Sequence, residues 1–201
     1  LKALHIDFAV AVAPRYVGPP MPAEADIFGC RFQDTDYGAG AYSECVYYPL
    51  AGYSSVEEIE DKYTWPDLDW WDFHTLSDQL RGFEEYPVRS GGSEPFLIYS
   101  RLRGMEQAFM DLVLNPDIVH YCLDRLFGLC YEITTRIYEQ IPGKVLFSYV
   151  AEDMGSQKGL MFSLKHIREF LLPRMKRMMD LAHENGVYVF HHTDGAARDI
   201  I

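Results

Sequence analysis

Cysteine is scarce in this chain. Its four cysteines, Cys30, Cys45, Cys122 and Cys130, form no CxxC pair and no dense cluster. That spacing argues against the disulfide framework of a small secreted domain. What remains is free thiols serving as small core residues in a reduced, cytoplasmic compartment. Positive charge is scarce too: 18 Lys and Arg face 30 Asp and Glu, for a formal net charge of -12. A nucleic-acid or anionic-membrane surface needs clustered cations to displace counterions, so neither partner is expected, and a small-molecule or protein partner is favoured. No run of about 18 apolar residues exists to span a membrane, and no signal peptide is visible. The chain begins at Leu1 rather than Met, and we expect an internal piece of a longer protein.

What is present suffices for a core, since 48% of the 201 residues are apolar and 14% aromatic. The texture changes along the chain. Residues 1 to about 95 are rich in Pro, Gly, Tyr, Trp and acidic side chains and predict a loop-heavy entry segment. Within it, Leu4 to Val12 reads as a strand. Ser54 to Tyr63 reads as a short helix with Ser55 as N-cap and Glu58 completing a capping box. "WPDLDWWDF" (Trp65 to Phe73) reads as an acidic loop with aromatic anchors.

From residue 95 to 201 the pattern is regular. Glu94 to Ser100 predicts a strand and Met105 to Leu114 a helix. Asn115-Pro116 then restarts a helix that runs to about Ile141, with Asn capping the free amides and Pro losing no hydrogen bond. Lys144 to Val150 predicts the next strand. A helix capped by Ser163 follows, which Pro173 should kink or split, and Asn185-Gly186 stops it. Val187 to His192 predicts a third strand. Continuous apolar strands alternating with helices mean parallel pairing, so the class is α/β, as an open sheet or a barrel.

In either architecture the chemistry gathers at the carboxyl ends of parallel strands. One strand carries Tyr149 and delivers Glu152, Asp153 and Gln157 to that rim. The other delivers His191, His192, Thr193 and Asp194. Adjacent His191 and His192 point to opposite faces, whereas His192 and Asp194 can point the same way. An H-x-D pair suits a divalent metal, or a carboxylate orienting an imidazole. The competing structural reading makes Thr193 or Asp194 the cap of a following helix and His191 a packing residue, with His183 completing a helix end.

The run "EDMGSQKGLMFSLKHIREFLLPRMKRMMDLAHENGVYVFHHTDG" (Glu152 to Gly195) resembles the uroporphyrinogen decarboxylase superfamily, which includes zinc-dependent, corrinoid-linked methyltransferases. Four parts recur in order: the Glu152, Asp153, Gly155 and Gln157 loop, a Ser-initiated helix with "REFLLP", "AHENG", and a strand ending in "HTDG". Arg103 to Asp124 and Pro49 to Asp69 are similar to the preceding segments. The resemblance implies a single (β/α)8 TIM-type barrel domain over 1–201, present here as an incomplete piece, since a whole barrel takes about 250 residues. In the methyltransferase branch the strand end reads His-x-Cys and supplies zinc ligands. His192 matches that histidine, and Asp194 stands at the position of the Cys, where an oxygen ligand still suits zinc or another divalent ion.

Three functions follow as expectations. The first is methyl transfer from a small methylated or methoxylated donor to a corrinoid on a partner protein. His192 and Asp194 hold the metal, Asp153 or His192 acts as general acid, and Tyr149, Glu152 and Gln157 contact substrate. The second is cofactor-free decarboxylation of uroporphyrinogen in porphyrin biosynthesis, with Asp153 stabilising a protonated pyrrole. The third is a barrel that only binds a ligand. The resemblance also implies a homodimer.

Overall fold

The computed structural model describes residues 9–200. Strand β1 (Val10–Ala11) lies within the strand expected over 4–12, whose first residues fall outside the described ones. β2 (Arg15–Tyr16) is followed by an antiparallel hairpin of β3 (Arg31–Asp36) and β4 (Ala41–Tyr47). Helix α1 (Val56–Lys62) starts as expected. Ser55 Oγ accepts from Glu58 N at 3.3 Å, and the Glu58 carboxylate accepts from Ser54 N at 2.8 Å, one residue before the cap. A 3-10 turn (Leu68–Trp70) leads into β5 (Trp71–Asp72), which pairs antiparallel with β2, so the expected loop carries a short strand. The short helix α2 (Leu76–Gln79) precedes β6 (Val88–Ser93).

The strand expected over Glu94 to Ser100 is corrected, because those residues belong to helix α3 (Pro95–Arg103). Pro95 fits a first helical position, and Phe96, Tyr99, Leu102 and Arg103 are buried at helical spacing. The strand lies one step earlier, in "VRSGGS", where two glycines hide the apolar pattern. Gly92 sits at φ 117°, and a Cβ there would stand 1.9 Å from the Tyr149 carbonyl oxygen. Only glycine permits that approach between neighbouring strands.

Helix α4 (Met105–Leu114) and helix α5 (Pro116–Gln140) fall where expected. The Asn115 side chain does not cap α5; its amide donates to Asp111 Oδ1 at 2.8 Å. β7 (Val145–Ala151) follows. The next helix opens at α6 (Leu164–His166), with Ser163 Oγ accepting from His166 N at 3.1 Å. It passes through a π turn (Ile167–Leu171) and continues as α7 (Leu172–Glu184). Pro173 therefore does not split the helix. It has no N–H for an i→i−4 bond, and the preceding turn widens, with Leu172 N bonding Ile167 O. Gly186 at φ 70° ends α7, with Gly186 N bonding His183 O and Val187 N bonding Ala182 O, the paired bonds of a Schellman motif. β8 (Tyr188–His192) and a closing 3-10 turn (Arg198–Ile200) complete the order.

The fold is mixed α/β, with a four-stranded sheet in the order β1-β6-β7-β8, parallel throughout. The chain divides into two compact units. One runs through Gly18, Leu68–Glu94 and from Phe127 onward, and holds the parallel sheet. Its core packs one sheet face against α2, α5 and α7: Val10, Val88, Val145 and Val187 with Leu76, Ile137, Ile141 and Leu181. The Tyr138 hydroxyl meets Ser148 Oγ at 2.6 Å inside it.

The other unit comprises Pro19–Asp67 and Pro95–Leu126. Its centre is a buried ion pair, with Arg103 Nε donating to Asp111 Oδ2 at 2.7 Å. Tyr99, Gln107 and Asn115 also donate to Asp111, and Arg103 Nη1 donates to the Leu50 and Tyr53 carbonyls. Cys30, Cys45, Cys122 and Cys130 are free thiols, the first and third buried. Among the described residues, no helix is long and apolar enough to cross a membrane.

Candidate metal centre at the strand ends

β7 and β8 run parallel with Ala151 opposite His192, so both strands end at the same level. The chain leaves β7 into Glu152 and Asp153, and leaves β8 into Thr193 and Asp194. Backbone bonds lock the two exits: Glu152 N donates to the His192 carbonyl at 3.2 Å, and Met154 N donates to Thr193 Oγ1 at 2.9 Å. Asp194 N donates to Asp153 Oδ1 at 3.0 Å. Beyond them Gly155 presses so closely on the second exit that a Cβ would lie 2.4 Å from the Asp194 carbonyl oxygen. The residues after β8 thus cannot shift without moving those after β7.

This scaffold brings three side chains together. His192 Nε2 lies 3.4 Å from Asp153 Oδ1 and 3.4 Å from Asp194 Oδ1. One ligand atom from each of the three residues falls within 4.8 Å of the others. A tetrahedral ion bound at about 2.1 Å by nitrogen and oxygen holds its ligands about 3.4 Å apart. The chemistry of the set also fits, because one imidazole with two carboxylates suits zinc or a harder divalent ion better than a thiol-preferring one. Asp153, read from sequence as a general acid or as the stabiliser of a protonated pyrrole, therefore stands as a third ligand candidate beside His192 and Asp194.

The remaining expected residues separate. Tyr149 lies on the same sheet face, its ring stacked at 27° on the His192 ring with centroids 5.8 Å apart. Partial desolvation, and then the negative charges of Glu94, Asp153 and Asp194, hold its phenol above the ordinary value. Glu152 is buried, with 2% exposure. Burial pushes the Cys130 thiol of α5 up to about 12, and the Glu152 carboxylate adds to that rise, which places Glu152 toward the helix layer. Gln157 stands exposed on the tip of a turn closed by Ser156 N donating to the Gly159 carbonyl at 2.7 Å. His191 points to the opposite face from His192 and is exposed, its Nδ1 2.7 Å from the Val150 carbonyl. His183 sits in the last turn of α7. The next helical turn begins only at Arg198, so neither Thr193 nor Asp194 stands at its start.

Sequence reasoning missed Phe190. Its ring stacks at 16° on Tyr149 with centroids 5.9 Å apart, and it is 55% exposed. The signal was present in the alternation of Tyr188, Phe190 and His192, which an extended strand turns to one face. A hollow of about 550 Å³ lined by Leu80, Phe83, Tyr86, Val88, Ile141 and Lys144 lies at the opposite, amino-terminal end of β6 and β7 and gathers no His with carboxylates. The chemistry-bearing groups of this unit thus collect where parallel strands end, which is the position α/β enzymes use. No protein-family model matches the chain, and no curated protein matches it in sequence.

Proposed function

We propose that the chain is a uroporphyrinogen decarboxylase-like enzyme on a (β/α)8 barrel. It moves a methyl group from a small methylated or methoxylated donor to a corrinoid carried by a partner protein. One observation carries this reading: Asp153, His192 and Asp194 converge at the carboxyl ends of two adjacent parallel strands. The parallel order of the four strands and the resemblance of residues 152 to 195 support the barrel reading.

A divalent ion bound there supplies Lewis-acid polarisation of the donor heteroatom. Asp153, His192 and Asp194 hold the ion, and the bond from Asp194 N to Asp153 fixes one carboxylate against the other chain exit. As the methyl carbon leaves oxygen for the acceptor nucleophile, the oxygen keeps the electron pair of the broken bond and takes a proton from Asp153 or His192, whichever has left the ion and carries one, giving an alcohol. Tyr149 stands beside this point, stacked on His192, and the buried Glu152 ties its loop to β8 through its backbone amide. Asp153, Asp194 and Glu94 make the rim anionic, which favours a neutral donor over a multiply anionic porphyrinogen.

The test is metal titration of the full chain, followed by incubation with cob(I)alamin and a panel of methoxylated donors. We expect about one zinc ion per chain, loss of that ion in His192→Ala, and formation of methylcobalamin. A chain that binds no divalent ion and methylates no cobalamin across the panel rejects the assignment. Conversion of uroporphyrinogen to less carboxylated products would assign the chain to decarboxylation instead.

A further inference from the structure

Two of the four thiols meet at the end of a helix. Cys30 Sγ lies 3.4 Å from the Arg101 carbonyl oxygen, and Cys45 Sγ lies 3.8 Å from the same oxygen. That carbonyl belongs to the last turn of α3, where helix carbonyls find no partner within the helix. The strand register explains the meeting. Cys45 pairs with Phe32 across the β3–β4 hairpin, and Cys30 stands two residues before Phe32, so both side chains fall on one face of the ribbon. All of these residues belong to the unit formed by Pro19–Asp67 and Pro95–Leu126.

The two thiols differ in access. Cys30 is fully buried, whereas Cys45 is half-buried on the largely exposed β4 and can turn toward its fixed neighbour. Each thiol bears on the other's titration, as sulfurs side by side do. Desolvation raises both, the Asp26 carboxylate adds to the rise, and the Arg101 guanidinium, which lies over the Phe32 ring, works against it. Both therefore rest as protonated thiols at neutral pH. Among the described residues, no third ligand joins them into a metal site. Two adjacent sulfurs with no ion to hold have one chemistry in common, which is joining to each other.

We propose that Cys30 and Cys45 are a redox-sensitive pair that closes into a disulfide when the chain meets a peroxide. Cys45, the accessible member, reacts first. Its sulfur attacks one peroxide oxygen, the O–O bond breaks, and the departing hydroxide takes the thiol proton as water, leaving a sulfenic acid. The Cys30 sulfur then attacks the Cys45 sulfur. The S–S bond forms, the S–O bond breaks, and the hydroxide leaves with the Cys30 proton as a second water. Desolvation slows the first attack, and the adjacency of the sulfurs speeds the second. A disulfide carries no S–H, so closure withdraws both donors from the Arg101 carbonyl while it staples the base of the hairpin. Thiol reductants reopen the bond. The pair is independent of the strand-end chemistry, since neither thiol belongs to the residues proposed to hold the ion.

The test is peptide mapping of the full chain after treatment with hydrogen peroxide, removal of the peroxide by catalase, and unfolding in an alkylating agent. Arg31, Arg103 and Arg125 place each cysteine in its own tryptic peptide, so any linkage can be assigned. We expect two of the four thiols to be lost to alkylation, one linked species joining Cys30 to Cys45, and full recovery with dithiothreitol. Cys30→Ser should instead leave Cys45 as a sulfenic acid that dimedone captures, and Cys45→Ser should leave Cys30 reduced. Circular dichroism checks that each variant is folded, and mapping of the unaltered chain decides alone if either is not. Four alkylated thiols after peroxide, a linkage that includes Cys122 or Cys130, or a Cys45–Cys45 bond between two chains would each overturn the pair.

Discussion

At the scale of single residues, the chain separates groups that stabilise from groups that are available for chemistry. Asp111 belongs to the first kind. Burial alone would raise its carboxyl, but the hydrogen bonds from Arg103, Tyr99, Asn115 and Gln107 outweigh it and hold the group below the ordinary carboxylate range. Because the folded value is lowered, its contribution is present above the unfolded value of about 3.9 and is lost as pH falls through the folded one. Urea unfolding should therefore show a stability that declines below about pH 4, with a smaller decline in Asp111→Asn. At neutral pH the same substitution leaves Arg103 buried without its counter-charge and should cost about 3–5 kcal/mol. A cost near zero would mean that the pair adds nothing to folding. Asp153 and Asp194 belong to the second kind, 43% and 74% exposed at the side chain. They accept no such set of donors and are free to meet a ligand from solvent.

At the scale of elements, turn chemistry decides where strands begin and end. Gly186 takes the left-handed conformation that ends α7 and aims β8 at the rim. Gly186→Ala should cost about 1–2 kcal/mol in thermal unfolding, and should do so without altering metal affinity, because the exit from β8 lies at its other end. Gly155→Ala should act on the rim as well. The added Cβ meets the backbone of Asp194 and Ala196, which must shift, so we expect weaker zinc binding together with a lower thermal midpoint. A Gly155→Ala chain with wild-type zinc affinity would show that the two exits do not position one another. The boundaries of α4, α5 and β7 were legible in sequence because each begins and ends on a strong local signal, such as Asn115-Pro116 or Pro142-Gly143. β6 was not legible, since "VRSGGS" carries only one large apolar residue and its stability comes from two parallel neighbours. The β3–β4 hairpin was missed for a related reason: its strands are largely polar and exposed, and pairing rather than burial defines them.

At the scale of the whole molecule, a metal held as proposed, by three residues on two separate chain exits, would tie ligand binding to folding. An ion that binds the folded chain alone adds about 2.7 kcal/mol when present at about 100 times its dissociation constant. Zinc should accordingly raise the thermal midpoint, a chelator should reverse the rise, and His192→Ala should be insensitive to both. A midpoint that ignores zinc in the unaltered chain would remove the metal centre. The H-x-D spacing and the Asp153 loop were both visible in sequence. The participation of all three side chains in one group was not, because their mutual distances depend on the register that sets Ala151 beside His192.

The sequence by itself determined the class and the order of elements from β7 onward. It also determined that His192 and Asp194 share a face at a strand end, because period, capping and turn residues act over a few neighbours. Only the tertiary structure decided that Asp153 joins them, that Glu152 turns inward toward Cys130, and that Phe190 stacks on Tyr149. Each of these depends on which strand lies beside which and at what register. Residues 153 and 192 are separated by a helix and its loops, and it is the parallel hydrogen-bond ladder that brings them within 3.4 Å.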